Sequence, residues 1–272
     1  MSGWRLALRA QPKLRIDARA LQPATLAGST RTEVERVALR QGRDAVPLAE
    51  LFDIDRIAGS TASQLVVEGD LSRFDHLGWG MTDGELQVLG SVGDYAGAAM
   101  AGGRITIDGN AADLTGCAMR GGRLAVQGDV GDLAATALPG EMDGMRGGTF
   151  VVHGNAGARL ADRMRRGTVV VFGSAGDFIA SRMVAGTVAL GGRCGAHPGW
   201  GMRRGSIVFA GPMPQVAPTF VPLHSNVDVF WQLLARNLAQ FGGPFATLAQ
   251  RRVRRHAGDL AVLGKGELLV PE

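Results

Sequence analysis

Four aspartates at one recurring position, five histidines and two cysteines are the side chains in this sequence whose types could do acid–base, metal or nucleophilic chemistry. Asp94, Asp113, Asp132 and Asp177 each stand beside a glycine turn, where a short carboxylate accepts backbone N–H groups, so a structural role is expected before a catalytic one. His76, His153, His197, His224 and His256 lie in separate segments and make no HxH, HExxH or CxxC-type ligand spacing. His197 follows Cys194 by three residues, a spacing that allows contact, but an ordinary turn histidine is the expected reading. The stretch Gly90-Ser-Val-Gly93-Asp-Tyr-Ala-Gly97 lacks the strand-then-helix context of a dinucleotide fingerprint, and no GxxxxGK[ST] occurs. No catalytic residue, cofactor or metal ligand is assigned to this chain.

The elements that must position these residues follow from a repeat. Met81, Met100, Met119, Met145, Met164, Met183 and Met202 fall 19 residues apart except for one gap of 26. Glycine follows each by three residues (Gly84, Gly103, Gly122, Gly148, Gly167, Gly186, Gly205) and again six later (Gly90 through Gly211). Between the two glycine columns, apolar residues alternate: Leu86/Val88, Ile105/Ile107, Leu124/Val126, Phe150/Val152, Val169/Val171, Val188/Leu190 and Ile207/Phe209. Period-two burial between glycine turns is a strand, and units of this length are too short for a helical crossover, so the strands should stack in parallel. Leu65 and Val67 fill the same columns earlier, with Ser60 and Ser63 in place of Met and Gly. The expected fold is all-β, a parallel β-helix solenoid of about eight coils. Residues 59–212 would form it, residues 1–58 would cap it, and residues 213–272 would be a C-terminal extension. That extension carries an amphipathic helix from Asn226, its N-cap, to Gln240, with Val227, Phe230, Trp231, Leu234 and Leu238 on one face.

Composition agrees with a folded scaffold. Gly is 41 of 272 residues, hydrophobic residues are 46% and aromatics 6%, so the core must come from aliphatic side chains and Met. Net charge is +4, and only two of the 29 basic residues are lysine. No signal-peptide pattern or membrane-length apolar run is present, and two isolated cysteines suit a reducing compartment, so a cytoplasmic protein is expected. Cys117 and Cys194 sit four repeats apart, about 19 Å at the strand spacing of a sheet, and should be free thiols. Arg251-Arg-Val-Arg-Arg255 lacks interleaved aromatics and does not read as a nucleic-acid patch.

Two surface patterns point to partners. The outward position of the later strands turns apolar at Val151, Val170, Ala189 and Val208, with Phe172 adding area; the C-terminal helix or another subunit covers this stripe, and Val151, Val170, Phe172 and Val208 are the partner contacts expected. The residue after each Met gives a column of Arg120, Arg146, Arg165 and Arg203, with Arg166 and Arg204 beside it. Such an edge is either solvated or meets an acidic partner or polyanion. Seven extra residues within 133–144, including Glu141 and Met142, form an insertion of the kind that lies on binding faces.

The repeat Gly90-Ser-Val-Gly93-Asp-Tyr-Ala-Gly97-Ala-Ala-Met100-Ala-Gly-Gly103-Arg-Ile-Thr-Ile-Asp-Gly109 resembles the glycine-repeat β-helix at the C-terminus of glutamate synthase large subunits. It resembles more closely the C components of formylmethanofuran dehydrogenases and of the bacterial formyltransferase/hydrolase complex. That second resemblance extends to Val67-Glu-Gly-Asp-Leu-Ser-Arg73, Asp75-His-Leu-Gly78, Gly80-Met-Thr-Asp-Gly84 and Met142-Asp-Gly-Met145-Arg-Gly-Gly148, and covers most of residues 45–215. It implies a non-catalytic structural subunit of a four-component complex that moves a formyl group from formyl-tetrahydromethanopterin to a methanofuran-type carrier and releases formate. The implied partners are an amidohydrolase-like subunit that holds the metal, a formyltransferase-like subunit and one further subunit. Methanofuran-type carriers with glutamate-rich tails would then be candidates for the arginine column. A self-contained β-helix enzyme or acyltransferase, or a module of a glutamate synthase-type assembly, is the alternative.

Overall fold

The structure is a computed structural model that describes residues 3–57, 59, 63–223 and 228–272. In chain order it runs β1 (Gly3–Leu8), β2 (Ile16–Asp17), α1 (Pro23–Leu26), α2 (Arg31–Arg36), β3 (Ala38–Gln41), β4 (Asp44–Pro47), α3 (Leu48–Leu51) and β5 (Phe52–Ile57). The repeat region follows with β6 (Gln64–Glu68), β7 (Phe74–Asp75), β8 (Glu85–Leu89), β9 (Arg104–Ile107), β10 (Arg123–Val126), β11 (Arg146–Val152), β12 (Arg166–Val171), β13 (Thr187–Leu190) and β14 (Arg204–Phe209). The chain ends with β15 (Val221–Leu223), α4 (Asp228–Ala239), two single-turn 3-10 segments, β16 (Val253–Gly258) and β17 (Lys265–Pro271).

The strands stack in parallel and in the register that the repeat dictates. Leu65 faces Leu86, which faces Ile105, and the ladder continues through Leu124, Phe150, Val169, Val188 and Ile207. Both inward columns are buried along their whole length, as are all seven repeat methionines. Each Met explains the first glycine column. A Cβ on Gly122 would lie 2.7 Å from the Met100 Cε of the preceding repeat, and Gly103, Gly148, Gly167, Gly186 and Gly205 meet the preceding methionine in the same way. The φ of Gly122 is also +77°, in the region that favours glycine.

The eight-coil β-helix solenoid expected from the sequence is not the architecture observed. The molecule is mostly β, but it is organised as one 13-stranded, mainly parallel sheet in the order β15-β16-β17-β14-β13-β12-β11-β10-β9-β8-β6-β1-β5, with a small four-stranded sheet β4-β3-β2-β7. Two physical reasons account for the difference. Away from its strand, each repeat is a run of turns containing left-handed residues, joined to its neighbours by turn-to-turn hydrogen bonds and by single bridges such as Val92 to Ala111 and Ala111 to Val130, and such a run cannot pleat into a further sheet. The main sheet also extends past the repeats at both ends. β1 inserts parallel to β6 and antiparallel to β5, and β17 lies parallel to β14.

The expected helix is present as α4, one to two residues shorter at its ends. Its proposed N-cap Asn226, together with Val227 and Ser60, lies outside the described residues.

Candidate functional site

The recurring aspartates are bound to the backbone. Oδ1 of Asp94 accepts the N–H of Asp113 (3.2 Å), Asp113 accepts from Asp132 (2.8 Å), Asp132 from Ala158 (2.7 Å), and Asp177 from Ala196 (2.7 Å). A parallel ladder runs through Ser91, Asn110, Asp129, Asn155 and Ser174, each accepting the amide of the next repeat. Turn amides that would otherwise go unpaired are thus satisfied by the repeat below.

The histidines and cysteines do not converge. His153 stacks on Phe172 (4.5 Å between centroids) and His197 on Phe178 (4.9 Å). His76 stacks on Tyr95 and meets Trp79 edge-on. His256 is buried on β16, its Nδ1 has no hydrogen-bond partner among the described residues, and burial, aided by Arg254, lowers its pKa. His224 lies outside the described residues. Both thiols are free, and burial pushes each up to about 12, so neither is a thiolate near neutral pH. No cluster of three His, Cys, Asp or Glu side chains suited to a metal is assembled among the described residues.

The apolar stripe is covered from within the chain. Val170, Ala189 and Val208 are fully buried beneath Trp231, Ala235 and Leu238 of α4 and beneath Phe245 and Leu248. Val151 is also buried, and Phe172 packs edge-on against Phe245 (5.4 Å). The helix is tied down by Trp231 Nε1, which donates to the Arg251 carbonyl (2.8 Å), and by Gln232 Nε2, which donates to that of Ala249 (2.9 Å). The expected partner contacts Val151, Val170, Phe172 and Val208 are therefore taken up within the chain: of the two covers for the stripe, its own C-terminal segment is the one present, because the apolar face of α4 fits onto it. Phe230, expected on the buried face, is instead 43% exposed.

Three of the four column arginines line one groove. The backbone N–H groups of Arg120, Arg146, Arg165 and Arg203 each donate to the Met carbonyl of the preceding repeat at 2.7–2.8 Å, so the four stand in register along one edge. Arg146, Arg165 and Arg203 join Arg166 and Arg204 around a groove of ≈ 570 Å³ whose lining includes no carboxylate. Arg120 is exposed one step further along and does not line it. Asp143 of the insertion pairs with Arg165, and with Arg146 at 3.8 Å, while Glu141 reaches Arg146 at 3.5 Å. Arg120, Arg166, Arg203 and Arg204 have no acidic partner among the described residues.

A second hollow of ≈ 480 Å³ shares Arg165, Val184 and Arg203 with the groove and adds Met142, Arg163, Arg182, Trp200, Asp259 and Val262. Its walls are fixed. The buried Asp162 carboxylate accepts Ser181 Oγ (2.5 Å) and both Nε (2.9 Å) and Nη2 (2.5 Å) of Arg182, and lies 3.8 Å from the Arg163 guanidinium. Arg163 Nη1 donates to the Glu141 carbonyl (3.0 Å), which holds the insertion in place. Asp259, between β16 and β17, accepts the Gly201 N–H (3.0 Å) and the Ala261 N–H (2.9 Å). Burial opposes its charge, but these bonds and one from Thr219 outweigh burial and lower its pKa.

Sequence reasoning missed Asp162, Arg163, Arg182, Trp200 and the Asp259–Leu263 turn. A signal was present for two of them. The position before each Met is Gly80, Ala99, Ala118, Gly144, Arg163, Arg182 and Gly201, a column of small residues that two arginines interrupt. At Arg163 and Arg182 the backbone is left-handed (φ +56° and +54°), which turns both side chains out at one corner of the repeat.

Comparison with known proteins places this geometry. A family profile described as the GXGXG motif matches residues 37–220. The solved structure of the formyltransferase/hydrolase complex FhcABCD from Methylorubrum extorquens, in complex with methylofuran, contains a similar chain. That chain is 40% identical and superposes with a TM-score of 0.90 over 98% of this chain and 99% of its own length. Curated relatives match over shorter stretches. One is the C component of the formyltransferase/hydrolase complex Fhc of Methylorubrum extorquens, 50% identical over 54 residues, 20% of each chain. Another is the C component of the tungsten-containing formylmethanofuran dehydrogenase 2 of Methanothermobacter marburgensis, 32% identical over 87 residues, 31% of this chain and 32% of the relative. The chain thus aligns with between a fifth and a third of the length of these curated relatives.

Proposed function

We propose that this chain, which belongs to the GXGXG-motif family and is a homologue of the Fhc C component, is a non-catalytic structural subunit of a formyltransferase/hydrolase complex. The observation that carries this reading is the end-to-end likeness at 40% identity to a chain of FhcABCD, which includes the terminal strands outside the repeats. The complex would pass a formyl group from formyl-tetrahydromethanopterin to a methanofuran-type carrier and release formate, with the chemistry on amidohydrolase-like and formyltransferase-like subunits. The aspartates here are consistent with that division, since their oxygens already serve the backbone. No helix among the described residues is long and apolar enough to cross a membrane, and we place the complex in the cytoplasm.

Native-mass analysis of a pull-down, with the tagged chain as bait in extract of its source cell, tests this. Recovery of the amidohydrolase-like and formyltransferase-like subunits is expected; a lone chain or a simple homo-oligomer refutes the reading.

Within the same reading, the groove of Arg146, Arg165 and Arg203 holds the anionic tail of the carrier, with Arg120 extending the track. Of its five guanidiniums, Arg166, Arg203 and Arg204 have no acidic partner among the described residues, which suits repeated carboxylates. Replacing Arg120, Arg146, Arg165 and Arg203 with Gln should raise the carrier's KM in the assembled complex, and unchanged kinetics would remove this role.

A further inference from the structure

Five of the large apolar side chains exposed on this chain lie on three segments that border the two cavities: Met142 (73% exposed), Trp200 (50%) and Val262 line the hollow, Leu263 lines the adjoining groove, and Leu260 stands in the same turn. Met142 belongs to the insertion, Trp200 to the last repeat, and the other three to the turn between β16 and β17. Three segments far apart in sequence therefore converge on one apolar rim, and Met142, Trp200 and Val262 line the same hollow. Between them stand Arg163 and Arg182, held by the buried Asp162 before anything binds. The composition is that of an interface centre, where Trp, Met and Arg are enriched and pre-set side chains lose little entropy on association.

This hollow differs from the adjoining groove. The groove is lined by five arginines with Val184, Ala185 and Leu263 between them, and three of the five, Arg166, Arg203 and Arg204, have no acidic partner among the described residues, which suits a flexible polyanion. In the hollow the two added cations, Arg163 and Arg182, are both countered by Asp162, and the exposed side chains of Met142, Trp200 and Val262 stand on the rim. We propose that the hollow is the docking surface for another protein subunit, which presents an apolar side chain flanked by carboxylates. The chain's own second copy does not fit. A two-fold contact sets a patch against itself, and here that would oppose arginine to arginine across the axis. The inference rests on the function proposed above and adds to it which face makes the contact and what the partner's chemistry must be.

The test uses the full-length tagged chain co-expressed with the other subunits. Val262→Glu and Met142→Glu place a carboxylate at exposed rim positions, where it pairs with the arginines internally and repels an acidic partner. With the variants' melting temperatures unchanged, recovery of partner subunits should fall at least tenfold, and wild-type recovery should weaken as salt rises. Trp200→Ser, which removes the largest apolar contact without adding charge, should act in the same direction. Full recovery with all three variants overturns the proposal. So does loss of a homodimer, or normal assembly with weakened binding of a free polyglutamate peptide, which would make the hollow part of the polyanion track. If the wild-type chain itself recovers no partner, membership of the complex fails rather than the choice of face.

Discussion

Removal of the Asp162 carboxylate should be among the most destabilising single changes near the arginine cluster. Asp162 is buried and serves Ser181 and Arg182 with three hydrogen bonds of 2.5–2.9 Å. In Asp162→Ala, the fully buried Ser181 hydroxyl is left without its acceptor, which costs about 1–3 kcal/mol. The Arg182 side chain is 36% exposed and can turn toward water, so its lost charge-assisted bonds contribute only about 1–2 kcal/mol more. The total of about 2–5 kcal/mol overlaps the usual cost of removing one partner of a buried pair. Urea unfolding followed by circular dichroism should show a lower midpoint at an unchanged slope. Adding Ser181→Ala removes the orphaned hydroxyl and should return about 1–2 kcal/mol, a coupling read from the double-mutant cycle. Asp162→Ala within about 1 kcal/mol of wild type, or a cycle without coupling, would refute the reasoning.

Three other outcomes follow from the structure. Trp231→Ala should cost about 3–5 kcal/mol and expose the stripe of Val170, Ala189 and Val208, read as lower stability together with increased binding of a hydrophobic dye. Gly102→Ala should leave little folded protein, because its Cβ would lie 2.1 Å from the Thr82 carbonyl oxygen. Gly80→Ala meets nothing within 4 Å and should cost only the left-handed penalty of about 1–2 kcal/mol at φ +64°. Burial lowers the pKa of both His256 and His76, so the folded state disfavours the protonated form that unfolding restores near pH 6.5. Stability should be full above that value and fall as pH drops below it. His256→Gln should reduce the loss of melting temperature between pH 7.5 and 5.5, and His76→Gln combined with it should reduce it further.

The repeat made much of the core legible. Strand identity, register and both inward columns follow from period-two alternation at a fixed spacing, and every residue of those columns is buried. The turn role of the aspartates was legible for the same reason, since a short carboxylate beside glycine has few other uses. The assembly of the strands was not. β1 lies before the repeats, and β17, although Lys265-Gly266-Glu267-Leu268 echoes Arg204-Gly205-Ser206-Ile207, follows them out of period, so their places in the main sheet depend on pairings between segments far apart in sequence. The rest of each repeat was equally opaque, because Tyr95, Leu114, Arg159 and Phe178 occupy left-handed positions that their residue types do not announce. Half of the candidate site could be read as a column of Arg146, Arg165 and Arg203. The other half depends on the Asp259–Leu263 turn, which enters through the C-terminal hairpin and leaves no periodic trace.

The amide ladder leaves one corner of the fold free to grow. Across the ordinary repeats, a side chain receives the N–H found 19 residues later; across the insertion the separation becomes 26, yet Asp129 and Asp132 still accept at 2.6 and 2.7 Å. The ladder counts turns of the chain and is blind to the length of chain between them. Extra residues at that corner cost only loop-closure entropy, about 0.6 kcal/mol for each doubling of length. Related chains can therefore lengthen or rewrite residues 138–143 without renegotiating the core, whereas Ala134, Ala135 and Thr136 are buried and stay with the repeat. Glu141 and Asp143 pair with arginines of the groove and Met142 lines the hollow, so this lightly constrained segment also sets the charge and the apolar surface that the two present.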